Sequence, residues 1–366
     1  MLRNYFKIAV RNLWRNKGFS AINIFGLALG IATCLVIMIF VQNELSYDRF
    51  NEKAERMFRV ILRGSMQGGE LKESHVMAPV AQTLKKDYPE VLEATRIRTY
   101  GTPRITYADK MFRDDAFAFV DSNFFQVFTI PLTRGDAKTA LLKPNTIVIS
   151  RSVARKYFGN EDPLGKVLTF KDNGALLTVT GEIDEVPLNS HFHFGMFASM
   201  ASLPEAKDAS WMTSNFHTYL VLPQGYDYKK LEAKLPQTVE KYVGPQIEKG
   251  MGITMAQFKQ SGNKLGLFLQ PLTDIHLRSD LGGSIEPSGD IQVVYIFSAV
   301  AIFMLVIACI NFMNLSTAGG SKRAREVGVR KVMGSLKGQL VRQFLVESLV
   351  ITTIAFFFAA LLVYMA

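Results

Sequence analysis

Apolar residues fall into three unbroken runs separated by one long mixed stretch. No Asp, Glu, Lys or Arg occurs between Lys17 and Glu44, between Asp290 and Lys322, or after Glu347. These windows hold about 26, 31 and 19 residues, and a hydrocarbon core of ~30 Å needs about 20 helical residues at 1.5 Å each. The first two are expected to cross a membrane with margin. The third, Ser348 to Ala366, barely reaches, and the chain stops inside it. A buried core helix of a soluble domain is the bland alternative, and runs this long and this rich in Leu, Ile, Val and Phe argue against it. A cleaved signal peptide has a shorter basic region and a shorter apolar run than residues 1–43 present. The expected layout is an interfacial helix over 1–17, a first span over 18–43 and a soluble domain over 44–290. A second span over 291–318, an elbow over 319–346 and an incomplete third span over 347–366 follow.

In the N-terminal segment, Leu2, Tyr5, Phe6, Ala9, Val10, Leu13 and Trp14 recur at helical spacing, while Arg3, Lys7, Arg11 and Arg15 repeat every fourth residue on another face. Such a helix lies in the membrane interface with its basic face toward lipid headgroups, either as a lever joined to the first span or as a plain anchor. Within that span Gly26, Gly30 and Cys34 stack on one face and admit another helix closely; the partner is a span of this chain or of a second copy.

The central stretch mixes both periodicities. Strands are expected over Met57–Arg63, Ala94–Tyr100, Thr146–Ser150, Leu176–Ile183, Thr218–Leu222 and Leu267–Gln270, and helices over Ser74–Tyr88, Ser152–Phe158 and Tyr228–Tyr242. The order does not alternate as a doubly wound sheet would. The fold class is therefore α-helical membrane spans carrying a large α+β domain of two subdomains.

Charge then fixes the orientation. The chain carries 42 basic and 32 acidic residues, net +10. Residues 1–17 carry a net +5 and residues 321–347 another +5, so the central domain is neutral. The positive-inside rule places both basic segments in the cytoplasm and the 44–290 domain outside. Membrane orientation explains the basic balance, and no nucleic-acid partner is needed. Both cysteines, Cys34 and Cys309, lie inside spans, so the outer domain has no disulfide; its length suffices for a core of its own.

Several stretches imitate chemistry. Gly159 to Val167 has five residues between its glycines, where a phosphate loop needs four, and Val167 where that loop needs a hydroxyl; it reads as a turn. His191-Phe192-His193 puts two imidazoles on one strand face, with His217 as a conceivable third ligand, but Phe192 and Phe194 alternate as core residues and no metal is assigned. The adjacent carboxylates Asp114-Asp115 and Asp184-Glu185 point to opposite faces of extended chain and make no acid/base dyad. No catalytic constellation is expected.

Residues 321–334 read as a short helix with Arg323–Glu326 and Glu326–Arg330 pairs, a left-handed stop at Gly334 and a cap for the next helix at Ser335. Gly328 costs about 1 kcal/mol in mid-helix, for which close approach by another backbone is one return. The bland reading is an interfacial loop whose charges enforce topology.

Lys322-Arg-Ala-Arg-Glu-Val-Gly-Val-Arg-Lys-Val-Met-Gly334, with Gln343-Phe-Leu-Val-Glu-Ser348, resembles the cytoplasmic loop of MacB/FtsX-type ABC transporter permeases. So do Ala9 to Lys17 and Gly26 to Ala32. The central stretch is similar to the MacB-like periplasmic core through Ser46-Tyr-Asp-Arg-Phe-Asn51, Tyr157 to Lys166 and Leu269 to His276. The resemblance implies a non-enzymatic permease subunit of the inner membrane. It makes Arg323, Arg325, Glu326, Val327, Gly328, Val329, Arg330, Lys331, Val332, Met333 and Gly334 the helix that docks on a separate ABC ATPase. That partner would bind ATP and magnesium; the chain itself would need no cofactor. It also implies lipid contacts, a dimer of permease halves, and an outer domain that moves in response (mechanotransmission, for export or envelope remodelling). Family members have four spans, so this sequence is expected to be a fragment or truncated product. The other readings are a membrane-anchored sensor with a ligand-binding outer domain and an anchored envelope hydrolase; the elbow that re-enters the membrane disfavours the first, the missing site the second. No substrate is indicated.

Overall fold

The structure, a computed structural model, describes residues 2–15, 17–66, 68–113, 117–171, 173–322, 327–329, 332–334 and 336–365. The chain divides into a helical unit, Met1–Leu45 with Ile291–Ala366, and a second unit, Ser46–Asp290.

In the helical unit an N-terminal helix, Leu2–Arg15, precedes three long ones: Lys17–Leu45, Ile291–Lys322 and Lys337–Met365. All three are long and apolar enough to cross a membrane. Leu27 and Ala28 of the first, Ala308 of the second and Ala355 of the third form the buried centre. Outward-facing Ile302, Phe303 and Phe357 are each more than 60% exposed, as lipid-facing positions are. The third helix begins at Lys337, well before residue 347, so much of the expected elbow belongs to it, and at 29 residues it is about 43 Å long. Glu347, which bounded the apolar window, sits within the helix together with Lys337 and Arg342 because a helix needs no apolar boundary, only its turns.

The second unit is an α+β domain on one mixed sheet. Its strands are β1 Met57–Met66, β2 Gly69–Glu73, β3 Val76–Met77, β4 Glu93–Thr99, β5 Arg104–Tyr107, β6 Lys110–Arg113, β7 Phe117–Val120, β8 Leu132–Arg134, β9 Thr146–Ser150, β10 Val167–Phe170, β11 Ala175–Ile183, β12 Met196–Ser199, β13 Ser214–Val221 and β14 Lys264–Pro271. The main order is β14-β1-β13-β4-β7-β12-β9-β11-β10-β5-β6. Only β9/β11 and β7/β12 run parallel among the described pairs.

Side-chain alternation gives this sheet two faces. Phe58, Val60 and Leu220 enter one core with Leu267 and Leu269, covered by helices Val80–Asp87, Tyr228–Glu232, Gly244–Met251 and Met255–Gln260. Phe117, Phe119, Ile147, Ile149, Met196 and Ala198 enter a second core under helix Arg151–Phe158. Their neighbours Met57, Tyr219, Val221, Ala118, Val120, Val148 and Phe197 line the opposite face in a third core with Phe124, Phe128 and Phe192. Two helix-covered lobes thus share one sheet, joined at β4/β7 through Ile97–Val120, Arg98–Phe119 and Thr99–Ala118.

Two expected helices are shorter. Ser74–Tyr88 is helical only over Val80–Asp87, because Val76–Met77 pairs with β13 and Pro79 fits the helix start. Tyr228–Tyr242 breaks after Glu232, and Pro236 opens the next piece, Leu235–Thr238.

Candidate functional site

Three places carry the residues that a membrane-spanning machine would use. The first is the seam of the first span. A Cβ on Gly30 would lie 2.5 Å from Ala308 Cβ, and one on Gly26 would lie 3.2 Å from Asn311 Nδ2. The small-residue face therefore meets the second span of the same chain. Cys34 is half-buried and unpaired as a disulfide.

The second is the connection between the second and third spans. Val327–Val329 and Val332 are helical, and Met333 N–H donates to Val329 O at 3.0 Å. Gly334 has φ +90°, a left-handed conformation in which glycine is favoured. Val329, Val332, Met333 and Leu336 are 59%, 89%, 82% and 69% exposed. A Cβ added to Gly328 meets nothing within 4 Å among the described residues. Arg323, Arg325, Glu326, Arg330, Lys331 and Ser335, and with them the expected ion pairs and cap, lie outside the described residues, as do Asp114 and Asp115.

The third place is the start of the outer domain, immediately after the first span, and its chemistry was not foreseen from the sequence. Asp48 adopts φ +59°, a left-handed geometry that Asp tolerates better than most residues. Its Oδ1 accepts from His191 Nδ1 at 2.7 Å and from the His191 backbone N–H at 3.3 Å. His191 Nε2 lies 2.7 Å from the Tyr219 hydroxyl. Burial pushes the Tyr219 phenol well above its ordinary range, so the hydroxyl keeps its proton and donates it to the ring. Arg59 lies opposite Tyr219 on one side and Gln270 on the other. Its guanidinium donates to the Gln270 Oε1 at 2.7 Å and the Ser279 Oγ at 3.1 Å. Asp48, Arg59 and Tyr219 are fully buried. Tyr47 stacks on His276 at 3.4 Å, and Asn51 Oδ1 accepts from Thr129 N–H. The segment Ser46–Asn51 is thereby bonded into the sheet. Arg59 within the apolar Met57–Arg63 run was the signal available in the sequence: a charge there demands a buried partner.

The three histidines do not converge. Residues 184–195 are loop, which overturns the strand expected for His191-Phe192-His193, and the carboxylates pull the two rings apart: His191 goes to Asp48, His193 to Glu286 at 2.9 Å. His217 Nδ1–H donates to Ser74 O at 3.2 Å. Glu185 Oε1 accepts from Ser152 N–H, and Asp184 pairs with Arg151. The Gly159–Val167 stretch is a turn, with Gly159 and Gly165 both at positive φ.

A bundle of apolar helices, an α+β domain that follows the first of them in the chain and an exposed apolar elbow define a membrane protein of the permease class. The MacB-like periplasmic core domain matches residues 20–238, and the FtsX-like permease C-terminal region matches residues 298–366. This chain belongs to the MacB/FtsX-type ABC transporter permeases. It is 22% identical over 359 residues to the macrolide export ATP-binding/permease protein MacB of Neisseria gonorrhoeae, covering 95% of this chain and 50% of that protein. The MacB of Chromobacterium violaceum is 23% identical, covering 96% and 50%. The chain thus spans about half the length of these relatives. Over 59 residues, 16% of this chain and 15% of the other, it is 39% identical to the ABC transporter permease YknZ of Bacillus subtilis. A domain assigned to a permease protein of Porphyromonas gingivalis has the same fold, with a TM-score of 0.52 and 24% identity over 67% of this chain and 98% of that one.

Proposed function

We propose that this chain is the permease subunit of an ATP-driven exporter or envelope-remodelling machine of the inner membrane. In this reading the N-terminus and the elbow are cytoplasmic and the Ser46–Asp290 domain is periplasmic. A separate ABC ATPase, which binds ATP and magnesium, docks on the 323–334 helix, and its closure moves the outer domain. The observation that carries the proposal is the elbow: four large apolar side chains stand exposed near Gly328, where an added Cβ meets nothing within 4 Å among the described residues. Exposed apolar surface of this kind marks a docking site. The anchor at Asp48, His191, Tyr219 and Arg59 supports transmission, because a force on the first span enters the sheet through hydrogen bonds. The substrate is open: the MacB relatives are named for macrolide export, and drugs, peptides, lipids and lipoproteins all fit the reading.

The test compares Gly328→Leu with Lys337→Arg for membrane insertion and co-purification of the ATPase. A docked helix forced from its socket loses 1–3 kcal/mol, or about five- to a hundredfold in affinity. Normal insertion with loss of the ATPase is expected for Gly328→Leu. Full retention would restore the anchored-sensor reading.

A further inference from the structure

A cavity of about 520 Å³ opens in the Ser46–Asp290 domain between two braced turns. Small-molecule sites have about this size, roughly 300–1,000 Å³. One wall is the 3₁₀ turn Ala54–Arg56. Its backbone is fixed: Arg56 N–H donates to Lys53 O at 2.9 Å, and Arg56 O accepts from Leu222 N–H at 2.9 Å. The other wall is the turn Pro223–Tyr226, closed by Tyr226 N–H donating to Pro223 O at 3.1 Å, with Gly225 at φ +73°. The Tyr226 hydroxyl donates to Glu90 Oε1 at 3.2 Å, which holds its ring at the cavity wall. Charge is unevenly used along the first wall, where Arg49, Lys53 and Arg56 stand with Glu52 and Glu55. The Lys53 ammonium donates to Gln126 O, and both acids are exposed. Arg56 is half-buried, and its guanidinium has no hydrogen bond or ion pair among the described residues, although both acids lie close to it in sequence. A guanidinium is a planar fork of donors that matches a carboxylate or phosphate through two parallel bonds.

We infer that this cavity binds a small organic anion, whose carboxylate or phosphate group is held by Arg56 and whose body lies against Pro223 and Tyr226. Arg49 and Lys53 favour the anion through the local potential, without having to touch it. An inorganic anion would take the same fork and leave most of the recess to water, so the organic body is what the volume selects. The inference is independent of ATPase coupling, since every wall residue belongs to the outer domain.

Phenyl phosphate and inorganic phosphate are the probes, titrated into the detergent-solubilised full chain and followed by phosphorus NMR line broadening. Saturable binding of phenyl phosphate is expected, several-fold tighter than that of inorganic phosphate and weakened about tenfold or more in Arg56→Gln. Arg56→Lys, which keeps the charge and removes the fork, should fall between. Arg63→Gln, at an exposed arginine paired with Asp280, should bind as the unaltered chain does. Because the Arg56 side chain bonds to nothing else among the described residues, neither Arg56 variant should shift the melting midpoint. A lipid headgroup carries the same phosphate chemistry: displacement of phenyl phosphate by dihexanoyl phosphatidic acid at lower concentration would keep the site and assign it to a headgroup. No saturation by phenyl phosphate, equal affinity for the two phosphates, or unchanged binding in both Arg56 variants would each overturn the proposal.

Discussion

The side-chain amide of Asn12 donates a 2.7 Å hydrogen bond to Glu347 Oε1, fastening the N-terminal helix to the third span. Ala9, on the same helix face, is 2% exposed, and Glu347 is 7% exposed, while Phe6 and Trp14 point away. The helix read from its periodicity as an interfacial element therefore has a polar clasp inside the bundle. A carboxyl group at such a position is costly without a partner.

Removing either partner should loosen the clasp. Asn12→Ala and Glu347→Ala are each expected to speed tryptic cleavage at Arg11 and Arg15 in detergent-solubilised protein. The double variant should do little more than either single change, giving a coupling of about 0.5–3 kcal/mol. Additive effects would show that the two side chains act separately.

At the seam, Gly30→Ala drives a methyl group into Ala308 and should destabilise the bundle by about 1–3 kcal/mol, the usual cost of overpacking. Ala308→Gly in that background returns the space. Thermal aggregation midpoints in detergent should fall for the first variant and largely recover for the second.

The outer domain should weaken in mild acid. Burial pushes His217 well below its ordinary pKa, and burial also lowers His75. The folded state therefore refuses protons that the unfolded chain accepts below pH about 6.5, so stability is full above that pH and falls as pH drops through it. Below pH about 4 a further loss follows, as Asp87 and Asp280, held low by their hydrogen bonds to Lys241 and Lys72, lose those pairs. The melting midpoint of the full chain should drop between pH 7.5 and 5.5, and the drop should shrink in His217→Gln. An unchanged drop in that variant would move the cause elsewhere.

What the sequence made legible follows from length and contrast. The spans were visible because a bilayer demands long uncharged runs, and β1, β4, β9, β11 and β14 because each alternates or ends in clear turns. Phe117–Val120 and Met196–Ser199 went unread: four residues buried on both faces have no periodicity to show. The His191–Asp48 pair was equally hidden, since its members stand far apart in sequence and only the loop over 184–195 brings them together. Gly26 and Gly30 were legible as a packing face, but their partner was not, because a small residue says how near a neighbour comes and nothing of which neighbour it is.

The single sheet shared by the two lobes has a mechanical meaning. Hydrogen-bonded ladders resist shear and in-plane stretching, and the β4/β7 pairing leaves no flexible linker about which one lobe can swing against the other. The domain is then a plate: a load on the edge strand β14 is shared with the far edge at β6 through the Ile97–Val120, Arg98–Phe119 and Thr99–Ala118 pairs.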